Sequence, residues 1–292
     1  MSISPKHYIS IIALVFLLLS LNYQAESAGI ESLFELPPDA RSLGTGEVSP
    51  GILDGSTGPF YNPDEEKNPG NWELSSLYAN QFEEFHYATV SLRSKNIGVS
   101  YRRLSFGKLS ERDLWGNPTG SSFRYCSQGL TGRVGKSFGR VGLSVKGRII
   151  QKGTGDRVLS GSLSPGLSYE LSPVRVGLTF SNLIGGEISS SGSGSSPWNK
   201  ELTFGLGFET GNFRTGVDVE AEFHERGVEP NGLRAGLEWW IRNFLALRLG
   251  IMDDLRQAIG WGIRGKNIQL DYAYLRHDEL SNSHFVSLSW II

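Results

Sequence analysis

The sequence predicts an all-β protein: a transmembrane, antiparallel, up-and-down β-barrel of about 14 strands with an N-terminal segment plugging its lumen. The chain alternates apolar with polar or small residues up to its last residue, its short alternating segments are separated by turn residues, and it opens with an apolar leader. The last feature of this alternation is the clearest. Ile268-Gln269-Leu270-Asp271-Tyr272-Ala273-Tyr274 has period two, and His284 to Ile292 has it again, with Val286, Leu288, Trp290 and Ile292 on one face. Period two means strand. A membrane barrel needs such a final strand, because the closing strand must pair with the first and leave no backbone unpaired in lipid.

Taken in order, residues 1–28 read as a secretory signal peptide. Lys6 and His7 precede the apolar run 9–19, and Ala25, Ser27 and Ala28 offer small residues for cleavage. The run is shorter than the ~20 residues of a spanning helix. No Cys stands just after it, which argues against a lipoprotein. The expected destination is the bacterial outer membrane. Residues 29–71, with Pro37-Pro38, Pro50, Pro63 and Pro69, hold too few apolar residues for a core of their own and are expected to plug one end of the barrel.

The barrel itself is expected over 72–292. Candidate strands lie at 72–80, 84–93, 96–106, 121–137, 140–152, 158–171, 173–181, 200–210, 212–224, 232–241, 243–252, 256–265, 267–275 and 284–292. Most match the ~9–11 residues that cross a bilayer. Two stretches fit poorly. The alternation slips around Tyr125 to Gly129, where a bulge or break is expected, and 182–199 reads as a long Gly/Ser loop.

The two faces differ chemically. One carries Leu163, Leu167 and Tyr169; Val174, Val176, Leu178 and Phe180; Leu202, Phe204, Leu206 and Phe208; and so on through Leu245, Leu247, Leu249 and Ile251. The other carries Ser, Gly and charges of both signs: Arg214, Asp218, Glu220, Glu222, Arg234, Glu238, Arg248, Arg264 and Asp271. A soluble β-sandwich also alternates. Three features favour the barrel: the Gly- and Ser-rich polar face suits a crowded lumen, tight turns such as Gly211-Asn212 and Arg242-Asn243 suit a meander, and Trp198, Trp239, Trp240, Tyr272, Tyr274 and Trp290 at strand ends suit interfacial girdles. The charged face has two readings, a polar conduit or a salt-bridge network that closes the lumen; mixed signs on neighbouring strands favour the network.

Composition agrees with a barrel and excludes other classes. Mean hydropathy is −0.21, which a barrel reaches because only alternate residues meet lipid. The net charge of −2 gives no sign of a nucleic-acid partner. The single cysteine, Cys126, excludes an internal disulfide framework and Cys-rich metal sites. Gly135-Lys136-Ser137-Phe138-Gly139 matches a nucleophile-elbow pattern, but that motif needs a strand-turn-helix and here falls in a strand-turn-strand. Leu130 stands where a phosphate loop needs its leading Gly, and the five histidines have no ligand spacing. No enzyme chemistry, metal or cofactor is expected.

Several segments resemble the bacterial outer-membrane family that contains PorV and PorQ, itself related to the FadL long-chain fatty-acid transporters. Ala40-Arg41-Ser42-Leu43-Gly44-Thr45-Gly46 resembles that family's opening motif, and Asp54 with Phe60-Tyr61-Asn62-Pro63 its aromatic-Asn-Pro. Leu233 to Trp239, Leu245 to Gly250, Leu270 to Tyr274 and the hairpin from Asp278 to Leu288 follow in the family's order. The resemblance implies a fourteen-stranded barrel whose N-terminal hatch carries Arg41, Gly44, Gly46, Asp54, Tyr61, Asn62 and Pro63. Arg41 is then expected to pair with a lumenal acid, and Asp54, Tyr61 and Asn62 to dock on the wall. In place of the family's apolar residues after Asn-Pro, this chain has Asp64-Glu65-Glu66-Lys67.

Beyond lipid of the outer membrane, two kinds of partner follow from the resemblance. PorV-like members act in type IX secretion, binding exported cargo proteins and secretion machinery at the cell surface; this is the first expectation. The alternative is a FadL-like transporter or pore for a small apolar ligand such as a fatty acid. A transporter needs an apolar pocket behind a movable plug, and a secretion partner needs an apolar or aromatic loop surface, for which Leu109 to Asn117 with Trp115, and 182–199 with Trp198, are the available material.

Overall fold

The computed structural model describes residues 32–48, 72–81, 85–94, 96–106, 109–112, 117–123, 125–153, 158–190, 198–224, 227–277 and 282–292. The expected signal peptide, together with Asp54, Tyr61, Asn62 and Pro63, lies outside these residues.

The strands are β1 (Glu73–Gln81), β2 (Phe85–Ser94), β3 (Ile97–Phe106), β4 (Leu109–Arg112), β5 (Pro118–Phe123), β6 (Cys126–Phe138), β7 (Val141–Gly153), β8 (Val158–Leu171) and β9 (Val174–Ser181). They continue as β10 (Ile184–Ser190), β11 (Lys200–Thr210), β12 (Phe213–His224), β13 (Gly227–Ile241), β14 (Leu245–Ile251), β15 (Gln257–Arg264), β16 (Ile268–Leu275) and β17 (Ser283–Ile291). Each barrel strand pairs antiparallel with its neighbours in chain order. The first pairs with the last, from Glu73↔Ile291 to Asn80↔His284, and so closes a barrel of 14 strands among the described residues. No backbone edge is then left facing lipid along that seam.

One expected loop is corrected, and one expected break is located. Residues 182–199 are not one loop: β10 lies within them and pairs with the first half of β8, while β9 pairs with its second half. The bend between β9 and β10 is made by Asn182, whose φ of 55° is left-handed. Its side chain accepts from Ser162 Oγ at 2.8 Å and donates to the Asn199 carbonyl at 2.8 Å, while Ser164 Oγ accepts from its backbone N–H. The break expected near Tyr125 is present, ahead of Cys126: β5 ends at Phe123 and belongs to a small hairpin with β4, and only Cys126–Phe138 of the expected strand 121–137 forms the wall strand β6.

The burial pattern is inverted relative to a soluble β protein. Val90, Val99, Val134, Val145, Leu249, Val286 and Leu288 are exposed, while Ser91, Ser100, Arg133, Glu238, Arg248, Asp271 and Ser287 are buried. An apolar outside and a polar inside are what a hydrocarbon solvent selects. Exposed aromatics cluster near the strand ends. Trp72, Phe138, Phe213, Trp239, Phe244 and Trp290 ring the short-turn end. Near the long-loop end Tyr78 meets His86 at 3.0 Å and Tyr272 meets His284 at 2.7 Å on the outer face. Trp198 and Trp240, expected in these girdles, are instead buried and face inward.

Candidate functional site: a lumenal segment seated on the barrel wall

The inner segment Ser32–Val48 lies inside the barrel. It begins with the helical turn Ser32–Glu35, passes through the irregular stretch Leu36-Pro37-Pro38, and enters a second helical turn, Ala40–Gly44. Asp39 caps that turn by accepting from the Ser42 backbone N–H at 2.6 Å, the usual way a short carboxylate satisfies an orphan donor. Wall side chains read this stretch carbonyl by carbonyl. Arg102 Nη1 donates to the carbonyls of Phe34 (3.1 Å) and Leu36 (2.9 Å), Tyr87 to that of Pro37 (2.9 Å) and Thr89 to that of Pro38 (2.7 Å). On the other side Ser287 Oγ accepts from the Ala40 backbone N–H at 3.3 Å. Buried main-chain groups that would cost about 1–3 kcal/mol each if unpaired are thus satisfied by the wall.

The second turn sits on glycines. A Cβ on Gly44 would lie 3.2 Å from the Gly260 Cα, and one on Gly46 would lie 2.7 Å from the Ala235 carbonyl oxygen. Gly46 also has φ of 68°, a conformation that favours glycine. From the wall side, a Cβ on Gly236 would strike the Thr45 carbonyl and one on Gly250 the Gly46 amide. Backbone therefore packs directly on backbone at this seat.

Beside the seat lies the charged hub. Glu238 is fully buried and accepts from Arg41 Nε and Nη2, each at 2.8 Å, from Arg248 Nε at 2.7 Å and from Trp240 Nε1 at 2.8 Å, with Arg214 Nη1 at 3.4 Å. Arg248 extends the network to Asp271 at 2.9 Å, and Gln269 donates to the other Asp271 oxygen at 2.7 Å. The acid opposite Arg41 is therefore Glu238. Buried ion pairs of this kind hold only because several donors replace the lost water. Arg234 forms a second group, 3.0 Å from both Glu220 and Asp253. Asp218 and Glu222 are buried on the same inward face of β12. Arg264 is exposed at the short-turn rim, its guanidinium 3.9 Å from the Trp240 ring centroid.

Glu47, which sequence reasoning did not single out, follows the glycine seat with φ of 58°. It is buried, and its Oε1 finds no hydrogen-bond partner among the described residues. Burial pushes its carboxyl up from 4.5 to about 7, against the pull of Arg234. A carboxyl that holds its proton more tightly when docked makes docking strongest below the free carboxylate range and weaker as pH climbs through the docked value. We expect the melting temperature of the wild-type protein to fall between about pH 5 and about pH 8 relative to that of Glu47→Gln, whose docking has no such titration. Equal slopes for the two proteins would refute this.

The lumen is not uniform along its height. Toward the long-loop end the inward residues of β15, β16, β17, β1 and β2 are mainly apolar: Leu77, Ala79, Tyr87, Ala258, Ala273, Leu275 and Phe285 form one cluster with Met252 and with Leu33, Phe34, Ala40 and Leu43 of the inner segment. At the mouth above them Phe85, Phe106 and Tyr125 pack edge to face, with centroids 4.1 and 5.1 Å apart. The charged hub lies below. The period-two pattern of β2 and β3 carried the signal for Tyr87, Thr89 and Arg102; Phe34 has none, since its partners are distant in the chain. The Gly-Lys-Ser-Phe-Gly stretch spans the β6–β7 hairpin and forms no strand-to-helix elbow. Among the described residues no three His, Cys, Asp or Glu side chains are placed to hold a metal ion.

This architecture has solved counterparts. A TodX deltaS2S3 mutant monoaromatic hydrocarbon channel matches with a TM-score of 0.62 at 12% identity, covering 87% of this chain and 98% of that one. The CymD monoaromatic hydrocarbon channel gives 0.60 at 12% identity over 87% and 96% of the two chains. The P. putida toluene transporter TodX gives 0.55 at 11% identity over 87% and 96%. At such identities the likeness is one of fold. No family model matches the chain, including any for the PorV and PorQ resemblance, and no curated protein matches it in sequence. The protein is a bacterial outer-membrane β-barrel that shares its fold with the hydrocarbon channels TodX and CymD.

Proposed function

We propose that the protein admits small apolar compounds through the outer membrane, with the inner segment as a movable obstruction. The observation that carries this reading is the apolar arc of the lumen below an aromatic mouth, which gives an apolar solute a continuous surface to partition onto. The fold counterparts that are hydrocarbon channels support the same reading. Passage requires the inner segment to shift, because Leu33, Phe34, Ala40 and Leu43 occupy that surface.

The first expectation, a surface partner for exported proteins, rests on the motif resemblance. It needs an aromatic loop surface, and Trp198, one of the residues expected to supply it, is buried against the lumen. Trp115 and residues 191–197 lie outside the described residues. Vesicles with a lipopolysaccharide outer leaflet that carry the purified protein should take up toluene faster than the same vesicles without protein, while showing no comparable gain for glycerol. Equal toluene rates with and without protein would sink the transport reading.

A further inference from the structure

Phe34 of the inner segment is held in a slot built for a ring. Its ring stacks on Trp198, with centroids 6.2 Å apart and planes at 24°. The guanidinium carbons of Arg102 and Arg148 lie 5.5 and 5.2 Å from its centroid. Gly129 forms the floor: a Cβ there would come within 2.6 Å of the Phe34 ring. Four groups from β3, β6, β7 and the residues before β11 thus converge on one phenyl group.

The slot is electrostatically unfinished. Arg102 is almost fully buried, yet it donates to two neutral main-chain carbonyls, and its Nε has no hydrogen-bond partner among the described residues. A buried guanidinium gains more from a carboxylate, which accepts two parallel N–H bonds and cancels the charge. The Phe34 ring and the carbonyl oxygens beside it therefore stand where an aromatic ring and its carboxylate would fit.

We propose that this slot is a binding site for small aromatic carboxylates, which the inner segment occupies in their absence; the proposal rests on the transport reading. The ligand ring replaces Phe34 between Arg102 and Arg148 on Trp198. Its carboxylate takes the Arg102 N–H groups that now reach the carbonyls of Phe34 and Leu36. Neutral hydrocarbons of the same size would gain the stacking and lose the ion pair.

The test uses the full-length protein in detergent micelles, titrated by calorimetry with 3-phenylpropionate and with the neutral 3-phenylpropan-1-ol. Emptying the slot with Phe34→Ala should tighten 3-phenylpropionate binding at least about tenfold, since one hydrophobic competitor is removed. Adding Arg102→Gln should reverse that gain and leave the alcohol unchanged. Phe34→Leu, which keeps an apolar side chain on the turn, should tighten the acid in the same direction if Phe34→Ala does not fold. Acid and alcohol binding equally in the emptied slot, or no tightening in either variant, overturns the proposal. Should toluene still enter the lipopolysaccharide-coated vesicles faster with the wild-type protein than without it in that case, the transport reading survives alone; should it not, both fall.

Discussion

Replacing Gly250 with valine is expected to expel the inner segment while leaving the barrel closed. The added Cβ would strike the Gly46 amide, and the neighbouring contacts are the Thr45 and Gly46 main chain. Backbone cannot swing aside as the end of a side chain can. Overpacking in a tight site costs about 1–3 kcal/mol even where side chains yield. Here the cheaper response is for the segment to leave, since β14 is held by its ladders to β13 and β15 and these do not depend on the segment. Arg41 reports the event: it is buried when docked, and trypsin should cleave after it only when the segment is out. Rapid cleavage in Gly250→Val, with heat-modifiable migration of the folded barrel retained, is the expected result. A variant as protease-resistant as the wild type would show that the seat does not hold the segment.

Glu238→Gln is expected to be the most destabilising single change in the lumen. The substitution keeps the size of the side chain and removes the charge shared by Arg41, Arg248 and Arg214. Breaking a buried pair by neutralising one partner costs about 3–5 kcal/mol, because the remaining charge stays buried and unpaired. Arg248 keeps Asp271, so the loss falls first on Arg41, which is free to withdraw with the segment. The swap of Arg41→Glu with Glu238→Arg should fail to rescue, because an arginine at 238 would face Arg214 and Arg248. Urea unfolding in micelles, followed by tryptophan fluorescence, measures the loss. Recovery in the swapped protein would mean that the pair acts alone and no hub exists.

Much of the barrel could be read in the sequence because one physical rule, alternation between lipid and lumen, acts on nearly every strand. The bounds of β8 agree with the expected 158–171, and β9 and β12 differ from expectation by a residue. The rule also separates neighbours that composition merges. Trp239 and Trp240 are adjacent, so period two puts one in lipid and the other against Glu238. Trp198 escapes the rule because it precedes β11 and is free to turn inward. The Gly/Ser tract hid β10, since that strand is held by backbone bonds to β8 and needs no apolar alternation to form. At the candidate site the kinds of residue were visible and the pairings were not. Arg41 and Glu238 are 197 positions apart, and only the register of the closed barrel brings them together. Gly236, Gly250 and Gly260 carried no signal on their own, because the backbone that packs on them comes from the far end of the chain.

The inner segment has contacts on both sides of the β1–β17 seam. Tyr87, Thr89 and Arg102 hold it from one side, and Ser287 and Glu238 from the other. A half-built barrel offers one set of these groups or the other, but not both at their mutual spacing. The segment can therefore seat fully only on a wall that has already closed, and once seated it spans the seam from within like a rivet. Docking and closure are thus coupled in time: first and last strands meet, and the chain's earliest described residues lock the join they were made too soon to take part in.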